Sequence, residues 1–442
     1  MSHDLQRWSP EPHGAVDAAN LARARWTLMG LFGLLGIVVS SWLSRLPSVR
    51  EQLGLDTGEL GVVLLVGACG SLVTVTLAGP ALARFGGLRT LHAATVGFVA
   101  AFALLSVGVA LGSLPLVAAG IFLNGASFAL NNVPLNVESA GIERRMGRTV
   151  IPQFHACFSI GALAGTLVGA ACSWGGVSAA AQYAASIVVI LVWRLVAVPH
   201  VVLDTRLSPA GPTDVVERVS ARLRLRSALS AWRERRTLML GLVVMSAALS
   251  EGAANDWLAI AVVDGFGRTE AVGALVFGVF VGSMTVFRIA GTGLIDKHGR
   301  VRVLRWSGLV SILGLALFGL APRLELAAVG VAMWGFGAAL AIPIGIAAAS
   351  DDPLRAAGRV SVVSAFSSMA SLAAPPLLGL VAEVVGARTA LTLIIAGLVV
   401  SVAVAGQAER EPAARTGRAT DDDIDDDGHD VPAPRHLEGA HA

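Results

Sequence analysis

Apolar residues in this chain do not alternate with polar ones; they come in long runs. Such runs recur near 26–46, 58–82, 90–110, 114–137, 152–174, 178–198, 238–262, 270–294, 303–321, 324–348, 360–382 and 386–406. Each is long enough to cross a hydrocarbon core of ~30 Å as a helix. Without period-two alternation a closed barrel is excluded, and helices are then the remaining way to satisfy every backbone group in lipid. The pattern predicts an all-α integral membrane protein with twelve transmembrane helices.

Composition agrees. Of 442 residues, 55% are hydrophobic and 14% charged, and mean hydropathy is +0.70, against the ~25% charged residues of soluble domains. The formal charge of +2 hides an uneven distribution. Of 33 basic residues, 27 fall on the side of the termini, five opposite, and one, Arg288, inside a span. Basic loops stay in the cytoplasm, so both termini are expected there, in an inner or plasma membrane. Trp26, Trp42, Trp174, Trp193, Trp257 and Trp306 fall near predicted span ends, where an interfacial aromatic belt is expected. Cys69, Cys157 and Cys172 lie within apolar runs and read as packing residues. The first run is too long for a signal-peptide core and is expected to stay as a span.

Three polar stretches punctuate the runs: 1–25, an Arg-rich connector at 199–236, and an acidic tail from 407. They divide the chain into an N-terminal six-helix half (26–198) and a C-terminal one (237–406). The connector, with Arg218, Arg222, Arg224 and Arg226, suits anionic lipid. The tail, where His429, His436 and His441 stand beside Asp runs, is too acidic and too poor in apolar groups to fold.

The halves repeat one another. "ALARFGGLR" follows the second span and "LIDKHGRVR" the eighth, with Gly86 and Gly299 spaced by 213 residues. Gly61 and Gly273 are 212 apart, "RRMGR" and "RAAGR" 211, Gly125 and Gly335 210, and Pro134 and Pro343 209. A six-helix unit has been duplicated. Gly86 and Gly299 are expected to turn the chain at the membrane surface, with Arg89, Arg300 and Arg302 among headgroups.

With twelve spans, a basic connector and the loop pattern G-x-x-x-D-R-x-G-R, residues 25–406 resemble the major facilitator superfamily. The second-half loop reads Thr292-Gly-Leu-Ile-Asp296-Lys297-His298-Gly299-Arg300; the first keeps Gly79, Arg84 and Gly86 but has Ala83 at the acidic position. The resemblance therefore implies that Asp296 plays the acidic part; beside these Arg residues it is expected either to bond a neighbouring helix start or Arg148 and, with Arg359 of "RAAGR", latch the halves, or only to fix topology with them. Typical proton-linked drug exporters of the superfamily have Arg where this chain has Ile121, before Asn124-Gly125, and a proline that is lacking in Gly161-x-x-x-Gly165-x-x-x-Gly169. "NVESAGIERRMGR", "FHACFSIGALAG" and "SEGAANDWLA" look more like uncharacterised bacterial permeases related to sugar-type facilitators.

Charge at mid-bilayer costs ~2.5–3.5 kcal/mol even on lenient scales, which makes each such group a functional candidate. Glu251 lies near the middle of the seventh span, with Asn255 one turn on. A low dielectric favours the neutral carboxyl, so Glu251 is the candidate proton carrier, against a structural carboxyl bonded to a neighbouring helix. Asn124, near the midplane of the fourth span, is a candidate solute contact; Asn132 and Asn136 suit packing. Trp334 either stacks on a solute or fills the core. Arg45 and Asp256, at similar depths in the first and seventh spans, are expected to pair and close the external mouth, or else to reach water separately. Arg288 and His155 either line the cavity or serve the cytoplasmic side.

These readings point to a secondary transporter of a small organic solute, working by alternating access and coupled to protons. Efflux of an amphipathic drug or metabolite, or a membrane sensor, are the alternatives. No nucleotide-binding signature G-x-x-x-x-G-K-[ST] and no catalytic or metal-spaced set appears, so no enzyme, cofactor or metal is expected. The expected partners are solute, protons and membrane lipid, not nucleic acid, around a monomer.

Overall fold

The computed structural model describes residues 18–147, 150–203, 230–352 and 355–410, without the side chains of Thr292 and Ala357. The described residues form α1 (Ala18–Leu43), α2 (Leu46–Leu53), α3 (Thr57–Ala110), α4 (Leu114–Met146), α5 (Ile151–Trp174) and α6 (Ala179–Ala197) in the first half. The second half holds α7 (Arg235–Phe266), α8 (Glu270–His298), α9 (Arg300–Leu320), α10 (Leu324–Ala338), α11 (Ala341–Ala349), α12 (Ala356–Val385), α13 (Ala387–Thr392) and α14 (Ile394–Val404). Of the three polar stretches, most of the first and the last, and 204–229 of the connector, lie outside the described residues.

Among the described residues, eleven helical stretches are long and apolar enough to cross a membrane. One of them, α3, has 54 residues, or about 80 Å at 1.5 Å per residue, more than twice a bilayer core. Its backbone leaves the helix at Gly86, with φ 79° and ψ 166°, so α3 is the second and third spans joined end to end and the count is twelve. Gly299, its repeat partner, separates α8 from α9 with φ 80° and ψ 157°. That region of backbone space is nearly closed to residues with a Cβ. The duplication visible in sequence is thus a duplication of backbone conformation.

The start of α3 is fixed by a capping box: Asp56 accepts from the Glu59 amide at 2.7 Å and Glu59 accepts from the Asp56 amide at 3.1 Å. The tenth span is broken into α10 and α11 at Ala339 and Leu340. Pro343 supplies the reason: it has no N–H to give the carbonyl four residues back, and that carbonyl is Ala339. The small-residue stripe of α5 faces α1, where an added Cβ on Gly161 would meet the Gly33 carbonyl oxygen at 2.0 Å. It packs the first half internally.

Close helix packing joins the halves at two places among others. The beginning of α3 meets the end of α12 so closely that a Cβ on Gly61 would stand 2.5 Å from the Pro375 carbonyl oxygen. Along α5 and α8, Gly278 lies beside Thr166 and Leu163. Both contacts lie toward the end of the bundle where Arg is scarce, called outer below. Of the expected aromatic belt, Trp26, Trp174, Trp193 and Trp306 are exposed, but Trp42 and Trp257 are buried core residues.

Candidate functional site

Glu251 stands in the middle of α7, roughly 24 Å from its start and 22 Å from its end at 1.5 Å per residue. It is not a lone carboxyl. Arg288 of α8 reaches toward the midplane, and its Nη2 donates to Glu251 Oε2 at 3.0 Å. The same guanidinium donates through Nε to the Ala339 carbonyl at 3.2 Å, the acceptor that Pro343 leaves without a helical donor. Sequence left Arg288 between two placements; the structure turns it inward and fastens it to the helix break. The side chains are 31% (Arg288) and 23% (Glu251) exposed. Among the described residues, Arg288 Nη1 and Glu251 Oε1 make no hydrogen bond, so the pair keeps one donor group and one acceptor open.

His155 of α5, in the other half, is exposed and stands edge-on to Phe32 at 5.4 Å. Asn255, half-buried one turn beyond Glu251, makes no hydrogen bond among the described residues. Asn124 of α4 has a buried Oδ1 without a partner. An amide oxygen left unsatisfied in a low dielectric is costly, and a polar ligand group or water would relieve it.

Trp334 corrects its placement as a solute contact. It is fully buried, edge-on to Phe280 at 5.0 Å, with Nε1 donating to Ser250 Oγ at 2.7 Å. Its role is core packing beside Glu251. Asn132 and Asn136 bond each other within α4, with Nδ2 of Asn136 2.9 Å from Oδ1 of Asn132. Sequence missed Arg194, which sorts with the inner basic residues but is 2% exposed. It donates to Thr95 at 2.7 Å, Asn131 at 2.8 Å and the Leu91 carbonyl at 3.1 Å, tying α6 to α3 and α4.

At the outer mouth the expected Arg45–Asp256 pair is not formed. Arg45 is buried between α1 and α2, and its acidic partner is Glu270, the first residue of α8, at 2.9 Å. Gln182 and the Val177 carbonyl take its other donors at 3.0 and 2.9 Å. Glu270 also accepts the Ser48 amide at 2.9 Å, and a carboxylate is favoured at a helix start. Arg50 pairs with Asp264 nearby. These links join the two halves, as the sequence pair was meant to do, with a different carboxylate. Asp256 is half-buried, without a hydrogen bond or ion pair among the described residues.

Of the expected inner latch, Asp296 is exposed and has no partner among the described residues, and Arg148 lies outside them. Arg359 donates from Nε to Glu234 at 2.8 Å, binding α12 to the start of α7. Asp351 accepts Arg300 at 2.7 Å and Arg236 at 3.2 Å. Glu234 and Asp351, two loop residues that carry no motif, thus take acidic parts on this face, as does Glu143, which accepts the Val150 and Ile151 amides at 2.8 and 2.9 Å. Burial works to raise the Glu234 carboxyl, but hydrogen bonds from Arg359 and Thr237, with the charges of Arg359 and Arg355, outweigh it and hold the pKa below the ordinary value. Among the described residues no group of three His, Cys, Asp or Glu side chains is placed to hold a metal ion.

Comparison with known proteins agrees with this architecture. The Major Facilitator Superfamily profile matches residues 28–360 and, in a second match, 240–434. An uncharacterised transporter of Sinorhizobium fredii is 28% identical over 369 residues, 83% of this chain and 93% of that protein. An uncharacterised MFS-type transporter of Yersinia pestis is 24% identical over 353 residues, 80% and 87% of the two chains. Among solved structures, the nucleoside transporter NupG superposes with a TM-score of 0.65 at 15% identity, over 87% of this chain and 98% of its own. The transporter FucP, in an outward conformation, superposes with a TM-score of 0.62 at 14% identity, over 89% and 100%.

Proposed function

The chain belongs to the major facilitator superfamily, and from that premise we propose that this membrane transporter carries a small polar organic solute by alternating access, coupled to protons through Glu251. The observation that carries the reading is the Glu251–Arg288 pair, half-open at the middle of a membrane-spanning helix. A proton on Glu251 replaces an ion pair with a neutral acid, and Arg288 then has Nη1 and Nη2 to offer a solute. When the solute leaves, the pair re-forms and the proton is expelled. Asn255 and Asn124 supply amide groups to the same solute. The Arg45–Glu270 link holds the outer mouth shut during exchange with the other side.

The open donor and acceptor suit hydroxyl- or amide-bearing molecules better than a wholly apolar drug. This fits structural relatives described as a nucleoside transporter and as the fucose:proton symporter of E. coli. The test begins with a thermal-shift screen of the purified protein against sugars, nucleosides and amino acids, because a bound solute raises stability by RT ln(1 + [L]/Kd). With the hit in proteoliposomes, Glu251→Gln should abolish proton-driven accumulation and spare counterflow. Undiminished uphill transport by that variant would refute the coupling role.

A further inference from the structure

A second site lies away from the seam, in a groove of about 890 Å³ between the beginning of α1 and the last turns of α6. We propose that it binds one anionic phospholipid from the leaflet at the Arg-rich end of the bundle. The walls are valines of α6, among them Val188, Val192 and Val196, all exposed. They run over eight residues, a depth of about 12 Å at 1.5 Å per residue. An acyl chain lying along the helices covers that surface; a soluble anion does not.

The cation of the groove, Arg23, stands at one end of it. Arg23 and His200 line it where the basic loops are, at the level of Trp26, whose ring is exposed and carries the Arg25 guanidinium at 5.2 Å. Arg23 is exposed and its guanidinium has no hydrogen bond or ion pair among the described residues. His200 places Nδ1 2.9 Å from the Val196 carbonyl, and a carbonyl only accepts. Nδ1 therefore carries a hydrogen, and Nε2 of the neutral ring is an acceptor. The open Arg23 guanidinium over an apolar trough matches a phosphate joined to acyl chains. The volume falls within the usual range of ligand sites.

Trp193 in the groove wall provides the readout. The full chain is placed in phosphatidylcholine vesicles containing a small fraction of either brominated phosphatidylglycerol or brominated phosphatidylcholine. The Trp193 contribution is the fluorescence of the protein minus that of its Trp193→Phe variant. Bromine should quench it at least about fivefold more efficiently on phosphatidylglycerol, the effect expected of one basic residue near anionic lipid. Arg23→Gln with His200→Gln should bring the two lipids to parity while quenching by brominated phosphatidylcholine persists, showing the groove intact. Arg23→Lys should keep the preference, which guards against a misfolded variant. Equal quenching by both lipids, a preference that survives the double substitution, or displacement by millimolar inorganic phosphate would overturn the proposal.

Discussion

Removing either member of the Glu251–Arg288 pair should be costly, and removing both should cost less than the sum. At 3.0 Å between Nη2 and Oε2, unit charges in an effective dielectric of ~20 attract by about 5 kcal/mol. With side chains 31% and 23% exposed, solvent screens part of this and the desolvation cost offsets more. A net coupling of about 1–3 kcal/mol remains. The two single substitutions should also differ. Glu251→Gln leaves Arg288 on the Ala339 carbonyl, whereas Arg288→Gln strands a carboxylate at mid-membrane without a described donor. Arg288→Gln should therefore be the more destabilising. Reversible unfolding of the four proteins in mixed detergent micelles closes the cycle. Additivity within about 0.5 kcal/mol, or a greater loss from Glu251→Gln, would show that the pair is not the unit described.

Three further outcomes follow from the geometry. Arg45→Ala strands Glu270 and loosens the outer mouth; breaking such a link costs about 3 kcal/mol, so an impermeant thiol reagent added outside should label Asn255→Cys, on a cysteine-free background, at least tenfold faster. Gly299→Ala forces a Cβ into a backbone region reserved for glycine and should lower stability by about 1–3 kcal/mol, read as a fall in melting temperature, with Gly86→Ala behaving alike. The Glu234 carboxyl is depressed in the folded state, so its stabilisation is present above the ordinary carboxylate pKa and fades as pH falls through the lowered one. The melting temperature of Glu234→Gln should thus lie below that of the parent at neutral pH and converge with it under acid.

Twelve spans, the duplication and the two surface glycines were legible because each rests on local physics: run length against bilayer thickness, and backbone space open only to glycine. So was the position of Glu251, which the structure places at the middle of α7. Partner choice was not legible. Asp256 and Glu270 both lie toward the outer end of neighbouring spans, and depth alone cannot say which one Arg45 meets, because the deciding separation is lateral. Arg288 lies toward the inner end of α8 but has a side chain long enough to turn either way, and what draws it inward is a carbonyl freed by a proline on another helix. Pro343 was visible; its consequence for Arg288 needed the packing of α8 on the broken span. Arg194 passed for an inner-loop charge because its acceptors, Thr95, Asn131 and the Leu91 carbonyl, are scattered over two other spans. Asp351 and Glu234 were missed since ordinary loop acids carry no motif, and Asp296, which fits one, stands exposed.

The central claim is that solute and proton meet at Glu251. It is tested most directly by adding the solute identified in the screen to the purified transporter in weakly buffered solution and following pH. The account predicts uptake of about one proton per transporter as solute binds, and no uptake in Glu251→Gln. Solute binding of unchanged affinity with no proton taken up by the unsubstituted protein, or the same uptake in both proteins, would contradict it.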